Sequence, residues 1–186
     1  FRDDRFFQKK TPKGQPVFWA RGQGWVIGGL VRTIDYIPES DPMRKKYIKL
    51  FQEMMARIAS LQGEDGLWRS SVNEPEWFPM KETSGSSFFT FGLAAGINRG
   101  WLDREKYTPI AEKAWKGLSA CVSGEGKVQW SQPVADQPFA TRKENTRSYT
   151  QGAFLLAAAE IYKLNGLPKI IPKKESGRTF ARYVPE

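Results

Sequence analysis

Three apolar runs decide the fold: GWVIGGLVRTIDYI at residues 24–37, GSSFFTFGLAAGI at 85–97 and GAFLLAAAEIYKL at 152–164. Each run begins with a glycine, and the starts lie 61 and 67 residues apart. Each is as long as a helix and apolar on nearly every side, which is typical of a helix that several neighbours bury. The recurrence of one unit along the chain indicates a repetitive helical architecture.

Amphipathic segments separate these runs. Residues 41–62 carry a single apolar stripe, and their Asp-Pro start is typical of a helix whose N-cap is Asp41. The segment 108–122 repeats this pattern, with Thr108 predicted as N-cap and Pro109 following it. We therefore predict inner helices over 24–37, 84–97 and 149–163 that alternate with amphipathic outer helices.

A second repeat follows each outer helix. GEDGLWR at 63–69 and GEGKVQW at 124–130 share a Gly-Glu pair, a further glycine and a tryptophan at or near the end. We interpret both as turns that lead into short extended segments.

The alternation predicts an all-α fold, a toroid with an inner helical ring inside an outer one. A single α-solenoid is the alternative, although it would not need inner helices so apolar on every face. Two and a half hairpins cannot close a ring, so we expect residues 1–164 to form about half of a toroid. Residues 165–186 contain Pro and Gly without a helical stripe, and we interpret them as a linker leading into an appended domain.

Composition excludes several classes of function. The 186 residues are 40% apolar and 26% charged, as in globular proteins, and no apolar run is long enough to cross a membrane. The net charge of +9 lies almost wholly in residues 1–21 and 163–186, and no helix carries a basic stripe, so we expect no nucleic-acid partner. The chain has no histidine and one cysteine, Cys121, which we expect to be a buried thiol. We therefore predict no Ser-His-Asp site, no metal site and no cofactor.

The loops before the inner helices are expected to meet at one end of the toroid. Helix N-termini present free N–H groups that attract anions, indole faces stack on sugar rings, and Arg or Gln binds hydroxyls or a carboxylate. The candidate substrate-binding residues there are Trp19, Arg21, Gln23, Trp25, Thr83 and Ser84.

Structural roles compete with these functional ones. Trp25 could belong to the core, and Arg21 could form a structural pair with Glu82. Thr83 and Ser84 could serve only as N-caps. Composition and spacing alone point to no catalytic residue.

The sequence resembles a known family in four ordered motifs: FWARGQGWVIGGLVRTIDYIP, LQGEDGLWR, ETSGSSFFTFGLAAGINRGWLD and GAFLLAAAEIYKL. They are similar to the second half of glycoside hydrolase families 88 and 105, the unsaturated glucuronyl and unsaturated rhamnogalacturonyl hydrolases. The resemblance covers roughly residues 1–164 and implies an (α/α)6 barrel. It also implies that Trp19, Arg21 and Trp25 belong to a substrate pocket, which Gln23 joins.

The resemblance further implies an unusual reaction at the unsaturated uronic acid end of lyase-generated oligosaccharides. In such enzymes an Asp protonates C4, water adds at C5, and the resulting hemiketal collapses to release the neighbouring sugar. The family's catalytic Asp lies in the first half of the barrel, so we expect no catalytic residue in this chain and a missing N-terminal half as its partner. The alternative is a non-catalytic carbohydrate-binding or interaction module of helical hairpins. The particular uronide and the compartment, bacterial cytoplasm or periplasm, stay open.

Overall fold

The computed structural model describes residues 9–166, 170–175 and 178–183. Five α-helices follow one another in this part of the chain: α1 (Ala20–Tyr36), α2 (Pro42–Ala59), α3 (Thr83–Asn98), α4 (Arg104–Ser119) and α5 (Ser148–Leu164). A 3-10 turn, Pro75–Trp77, precedes α3. Helix α3 packs between α1 and α5, while α2 lies outside α1 and α3 and α4 lies outside α3 and α5. The predicted alternation of inner and outer helices is confirmed.

The core is centred on α3. All of its residues except the last are buried, as expected for an inner helix with neighbours on every side. The indole of Trp68 meets the ring of Phe89 edge-on at 5.2 Å and donates a hydrogen bond to the Ile58 carbonyl. The Gly-Glu turn after α2 thus places the large side chain of Trp68 between the inner and the outer helices.

Both outer helices begin with an aspartate cap. The Asp41 carboxylate accepts from the Met43 amide at 2.8 Å, which confirms the predicted start of α2. The prediction for α4 is wrong: Asp103 caps it by accepting from the Lys106 amide at 2.7 Å, and Pro109 lies inside the helix. Pro109 is the sixth residue of α4, beyond the first turn, so it removes one helix hydrogen bond and does not mark the start of the helix.

The repeated turns form as predicted. The amide of Gly66 donates to the Gly63 carbonyl, and the amide of Gly126 donates to the Ser123 carbonyl. Gly66 has a φ of +83° and its Cα lies against the backbone of Lys113, so a side chain could not be placed there. Cys121, before the second turn, is buried as expected.

Helices α1 and α5 differ from α3 because the described chain covers each of them on one side only. The α1 side chains Trp25 and Tyr36 are exposed, and so are Leu155, Leu156 and Tyr162 on α5. The three inner helices thus form an arc whose first and last helices keep apolar side chains uncovered.

The segment predicted to be a linker contains a hairpin. β1 (Ile170–Glu175) pairs antiparallel with β2 (Arg178–Tyr183), with Ile170 opposite Tyr183. Residues 167–169, 176–177 and 184–186 of that segment lie outside the described residues, as do residues 1–8. The division at residue 164 into a barrel half and an appended segment stays a prediction. Among the described helices, none combines the length and apolarity that a membrane span requires.

Candidate functional site

The first turns of α1, α3 and α5 meet at one end of the arc, as the sequence predicts. A guanidinium nitrogen of Arg21 in α1 lies 3.3 Å from the Tyr149 hydroxyl in α5. A Cβ added to Gly85 in α3 would lie 2.8 Å from the carbonyl carbon of Ala20. Glycine therefore allows the starts of α1 and α3 to touch through their backbones.

Arg21 is enclosed at this meeting point and is 3% exposed. It donates to the carbonyls of Gln132, Pro133 and Ala135 at 3.0, 3.0 and 3.3 Å. Its guanidinium also lies between two aromatic rings, 4.7 Å from the ring centres of Trp19 and Tyr149. Burial lowers its pKa, although an arginine stays protonated. The guanidinium ties the loop after Trp130 to two inner helices.

Gln132 is the organising residue of that loop, and sequence reasoning missed it. Its buried side-chain oxygen accepts from the Trp19 indole at 2.7 Å, and its amide nitrogen donates to the Gln137 carbonyl at 2.7 Å. The Gln132 backbone carbonyl accepts from the Tyr149 hydroxyl at 2.5 Å. Much of this hydrogen-bond network runs through backbone carbonyls, which every residue has. The sequence pattern therefore does not predict the role of Gln132. We call Trp19, Arg21, Glu82, Gln132 and Tyr149 the rim junction.

Glu82 is the N-cap of α3, in place of the predicted caps Thr83 and Ser84. Its fully buried carboxylate accepts from the Ser84 and Gly85 amides at 2.8 and 2.7 Å, and also from the Ser84 hydroxyl. Burial raises the pKa of Glu82, and these hydrogen bonds oppose the rise. The Thr83 hydroxyl donates to the Gln129 carbonyl at 2.7 Å. The prediction that this helix start presents free amides is wrong, because the chain itself uses them.

The predicted pairing of Arg21 with Glu82 is also absent. The hydrogen bonds of Arg21 go to carbonyls and to Tyr149, and Glu82 influences the arginine only through its charge. Each charged group has its own set of partners at the rim junction.

Trp25 is the one candidate that faces solvent, with 51% of its surface exposed. Its indole lies against the Phe88 ring, with centroids 4.5 Å apart. Among the described residues Trp25 is therefore not part of the core. Together with Phe88 it forms an aromatic wall on the inner face of the arc.

This wall belongs to an open cavity of about 510 Å³ between α1 and α5, which we call the lumen pocket. The residues that line it are Trp25, Gly28, Gly29, Arg32, Phe88, Tyr149, Gly152, Ala153 and Leu156. Aromatic faces with few polar groups are the usual surroundings of a bound small molecule.

Gln23 faces a different space. It lines a second cavity of about 560 Å³ together with Phe18 and Leu50. Residues two apart on a helix point in different directions, so Gln23 and Trp25 cannot share a pocket on α1.

The structure thus brings Trp19 and Arg21 together with Tyr149, and buries Thr83 and Ser84 in the first turn of α3. Trp25 lies in the lumen pocket, and Gln23 lies apart from it. The roles of all six residues in substrate binding stay predictions. Within the described ranges, no three His, Cys, Asp or Glu side chains are grouped as a metal site requires.

Inner and outer helices in alternation, with an aromatic pocket on the inner face, define an α/α toroid protein. The sequence profile of Glycosyl Hydrolase Family 88 matches residues 1–165, and the chain belongs to this family. The resemblance and the fold class inferred from the sequence are confirmed.

Two relatives are unsaturated 3S-rhamnoglycuronyl hydrolases. The protein from Formosa agariphila is 43% identical over 169 residues, which cover 88% of this chain and 45% of the relative. The protein from Alteromonas sp. is 38% identical over 161 residues, covering 87% and 39%. A solved structure, glycosyl hydrolase family 88 from Bacteroides vulgatus, matches with a TM-score of 0.84 at 36% identity, covering 88% of this chain and 49% of that one. The chain spans at most about half the length of these proteins.

Proposed function

We propose that this chain forms the C-terminal half of a hydrolase that removes a terminal unsaturated uronic acid from lyase-generated oligosaccharides. The observation that carries the proposal is the lumen pocket, where an exposed indole stands on the inner face of a family 88 fold. A sugar ring stacked on Trp25 would lie beside the Tyr149 hydroxyl, at the end of the arc where the inner helices begin.

The proposed reaction is hydration of the vinyl ether formed by the C4=C5 double bond and the ring oxygen. A proton adds to C4, water adds to C5 and loses a proton, and the hemiketal opens to release the neighbouring sugar. No Asp or Glu is among the described residues that line the lumen pocket, so the acid for this step would come from elsewhere in the complete enzyme. We assign it to the rest of the barrel; this chain would provide the wall that holds the sugar.

The rim junction would support that wall. Arg21 and Gln132 fix the ring of Tyr149 and the loop after Trp130, so the pocket is held in shape before the substrate arrives. Such preorganisation lowers the cost of orienting a substrate. We assign Trp19, Arg21, Thr83 and Ser84 to this support, and Trp25 to direct contact with the sugar.

The relatives favour a particular substrate. Both are named as hydrolases of unsaturated rhamnoglycuronyl groups. We therefore propose an oligosaccharide in which the unsaturated uronate is joined to rhamnose, in preference to the glucuronyl substrates of glycosaminoglycans.

The test uses the complete enzyme, meaning this chain together with the rest of the barrel. It should consume lyase-generated oligosaccharides and leave saturated ones intact, because only the double bond can accept the proton at C4. The conjugated alkene absorbs ultraviolet light, so absorbance should fall in step with release of the neighbouring sugar. Binding without any loss of absorbance would instead favour the carbohydrate-binding module, and equal hydrolysis of saturated uronates would contradict the mechanism.

A further inference from the structure

Arg32 is the one charged side chain among the residues that line the lumen pocket. It is exposed, and among the described residues no hydrogen bond or ion pair engages it. Arg21, eleven positions earlier on the same helix, has its guanidinium bonded to carbonyls and covered by two aromatic rings. A negative charge that enters this pocket therefore meets Arg32 first.

The position of Arg32 follows from the helical repeat. Trp25, Gly29 and Arg32 lie four and three positions apart, so they share one face of α1. The seven residues from Trp25 to Arg32 correspond to about 10 Å along the axis. An arginine side chain on a helix leans toward the N-terminus, which carries its guanidinium back toward the indole.

Small residues leave the space around this guanidinium open. A Cβ added to Gly29 or Gly152 would meet nothing within 4 Å, and the opposite wall is the apolar side chain of Leu156. Few polar side chains compete for the guanidinium there, which leaves it available for a charge-assisted hydrogen bond to an anion. The planar guanidinium of Arg32 can also donate two parallel hydrogen bonds to a carboxylate or a sulfate.

We propose that Arg32 is a specificity-determining residue that binds the oxyanion of a sugar stacked on Trp25. Acidic polysaccharides carry two such groups, a uronate carboxylate and a sulfate ester, and the guanidinium fits either. This inference rests on the proposed function, since it concerns the same pocket. It assigns the anion to the pocket wall and leaves Arg21 as a support for the rim.

The experiment measures competitive inhibition of the complete enzyme by saturated monosaccharides. Glucuronate and glucuronamide form one pair, and glucose 6-sulfate and glucose form the other. The Arg32→Gln variant should weaken inhibition by the anionic member of one pair about tenfold, the loss expected for a hydrogen bond to a charged group, and leave its neutral partner unchanged. The pair that responds identifies the oxyanion.

Two further variants keep the result decisive. Arg32→Lys keeps the positive charge but loses the planar guanidinium. The inhibition constant of the anionic sugar should therefore lie between the values for the wild type and Arg32→Gln. Arg57→Gln removes one exposed positive charge at the second cavity and should change neither pair, which controls for net charge.

Equal changes for anionic and neutral sugars, or no change in either, would overturn the proposal. A large fall in melting temperature for both Arg32 variants would assign the arginine to a structural ion pair instead. If the wild type fails to consume unsaturated oligosaccharides, the proposed function fails separately, and direct calorimetric titration with the same sugars still decides the role of Arg32.

Discussion

The rim junction and the lumen pocket lie side by side on the same three helices and are built in opposite ways. In the rim junction, charged and polar groups are buried and bonded to the chain itself, as Arg21 and Glu82 show. In the lumen pocket, apolar faces and one unengaged arginine are open to solvent. The difference indicates that the first region holds the fold and that the second is available to a ligand.

Replacing Arg21 should separate the two regions most clearly. Arg21→Ala would leave the partly buried carbonyls of Pro133 and Ala135 without their donor and remove the cation between the Trp19 and Tyr149 rings, so we expect the complete enzyme to lose about 3 kcal/mol of stability. Arg32→Ala, on the exposed side of the same helix, should change it by less than about 0.5 kcal/mol. Chemical denaturation of both variants measures the contrast, and a stable but inactive Arg21→Ala would place this arginine in contact with the substrate.

Two glycines provide the next contrast. Gly85→Ala would press a methyl group to 2.8 Å from the backbone of Ala20, which we expect to cost about 2 kcal/mol. Gly29→Ala meets open space in the middle of α1 and should stabilise the helix by up to about 1 kcal/mol. Melting temperatures measured without substrate test both changes, and equal effects would contradict the distinction between a packed and an open region.

Trp25 should affect binding more than stability. Trp25→Ala removes an exposed indole from the Phe88 ring, so we expect KM to rise about tenfold while stability falls by about 1 kcal/mol. Trp25→Phe keeps an aromatic face and should recover most of the affinity. Steady-state kinetics with lyase products distinguish the two variants, and a loss confined to melting temperature would return Trp25 to a structural role.

The smallest effect is expected at the far ends of the same helices. Burial alone would raise the pKa of Glu160, but hydrogen bonds from Asn98 and Lys163 and the charges of Arg99 and Lys163 outweigh it and hold the pKa below its usual range. A lowered folded-state pKa gives stability that is present above the ordinary carboxyl range and is lost as pH falls through the folded value.

Glu160→Gln should therefore flatten the loss of stability between about pH 5 and pH 3 by less than about 1 kcal/mol. The exposed Glu53→Gln variant serves as the control and should follow the wild-type pH profile. Thermal melts across that range provide the measurement, and parallel profiles for wild type and Glu160→Gln would show that this carboxylate is not coupled to folding.

The sequence predicted the helices better than the connections between them. Long apolar runs in the sequence predict α1, α3 and α5, because an inner helix packed against several neighbours needs apolar side chains on most of its faces. The sequence predicts the start of α4 too late in the chain, because Thr108-Pro109 resembles an N-cap whereas Asp103 forms it. The N-cap of α3 is likewise not the residue that the sequence predicts. Glu82, whose side chain is longer than those of Thr83 and Ser84, accepts hydrogen bonds from the Ser84 and Gly85 amides.

The site was predicted only in outline for a related reason. Trp19, Arg21 and Trp25 belong to one motif, yet α1 turns Trp25 into the lumen while the junction encloses Arg21. Most partners of Arg21 are backbone carbonyl oxygens, which every residue has, so residue types do not predict them. Gln132 and Arg32 became visible only when distant segments were placed together.

The central position of α3 also affects how the chain folds during synthesis. Helix α3 contacts each of the other four helices, and α5 begins 65 residues after α3 begins. At about 5–20 residues per second, a ribosome completes that interval in roughly 3 to 13 s. During that time the face of α3 that α5 will cover stays exposed, and holdase chaperones bind exposed apolar surface of this kind.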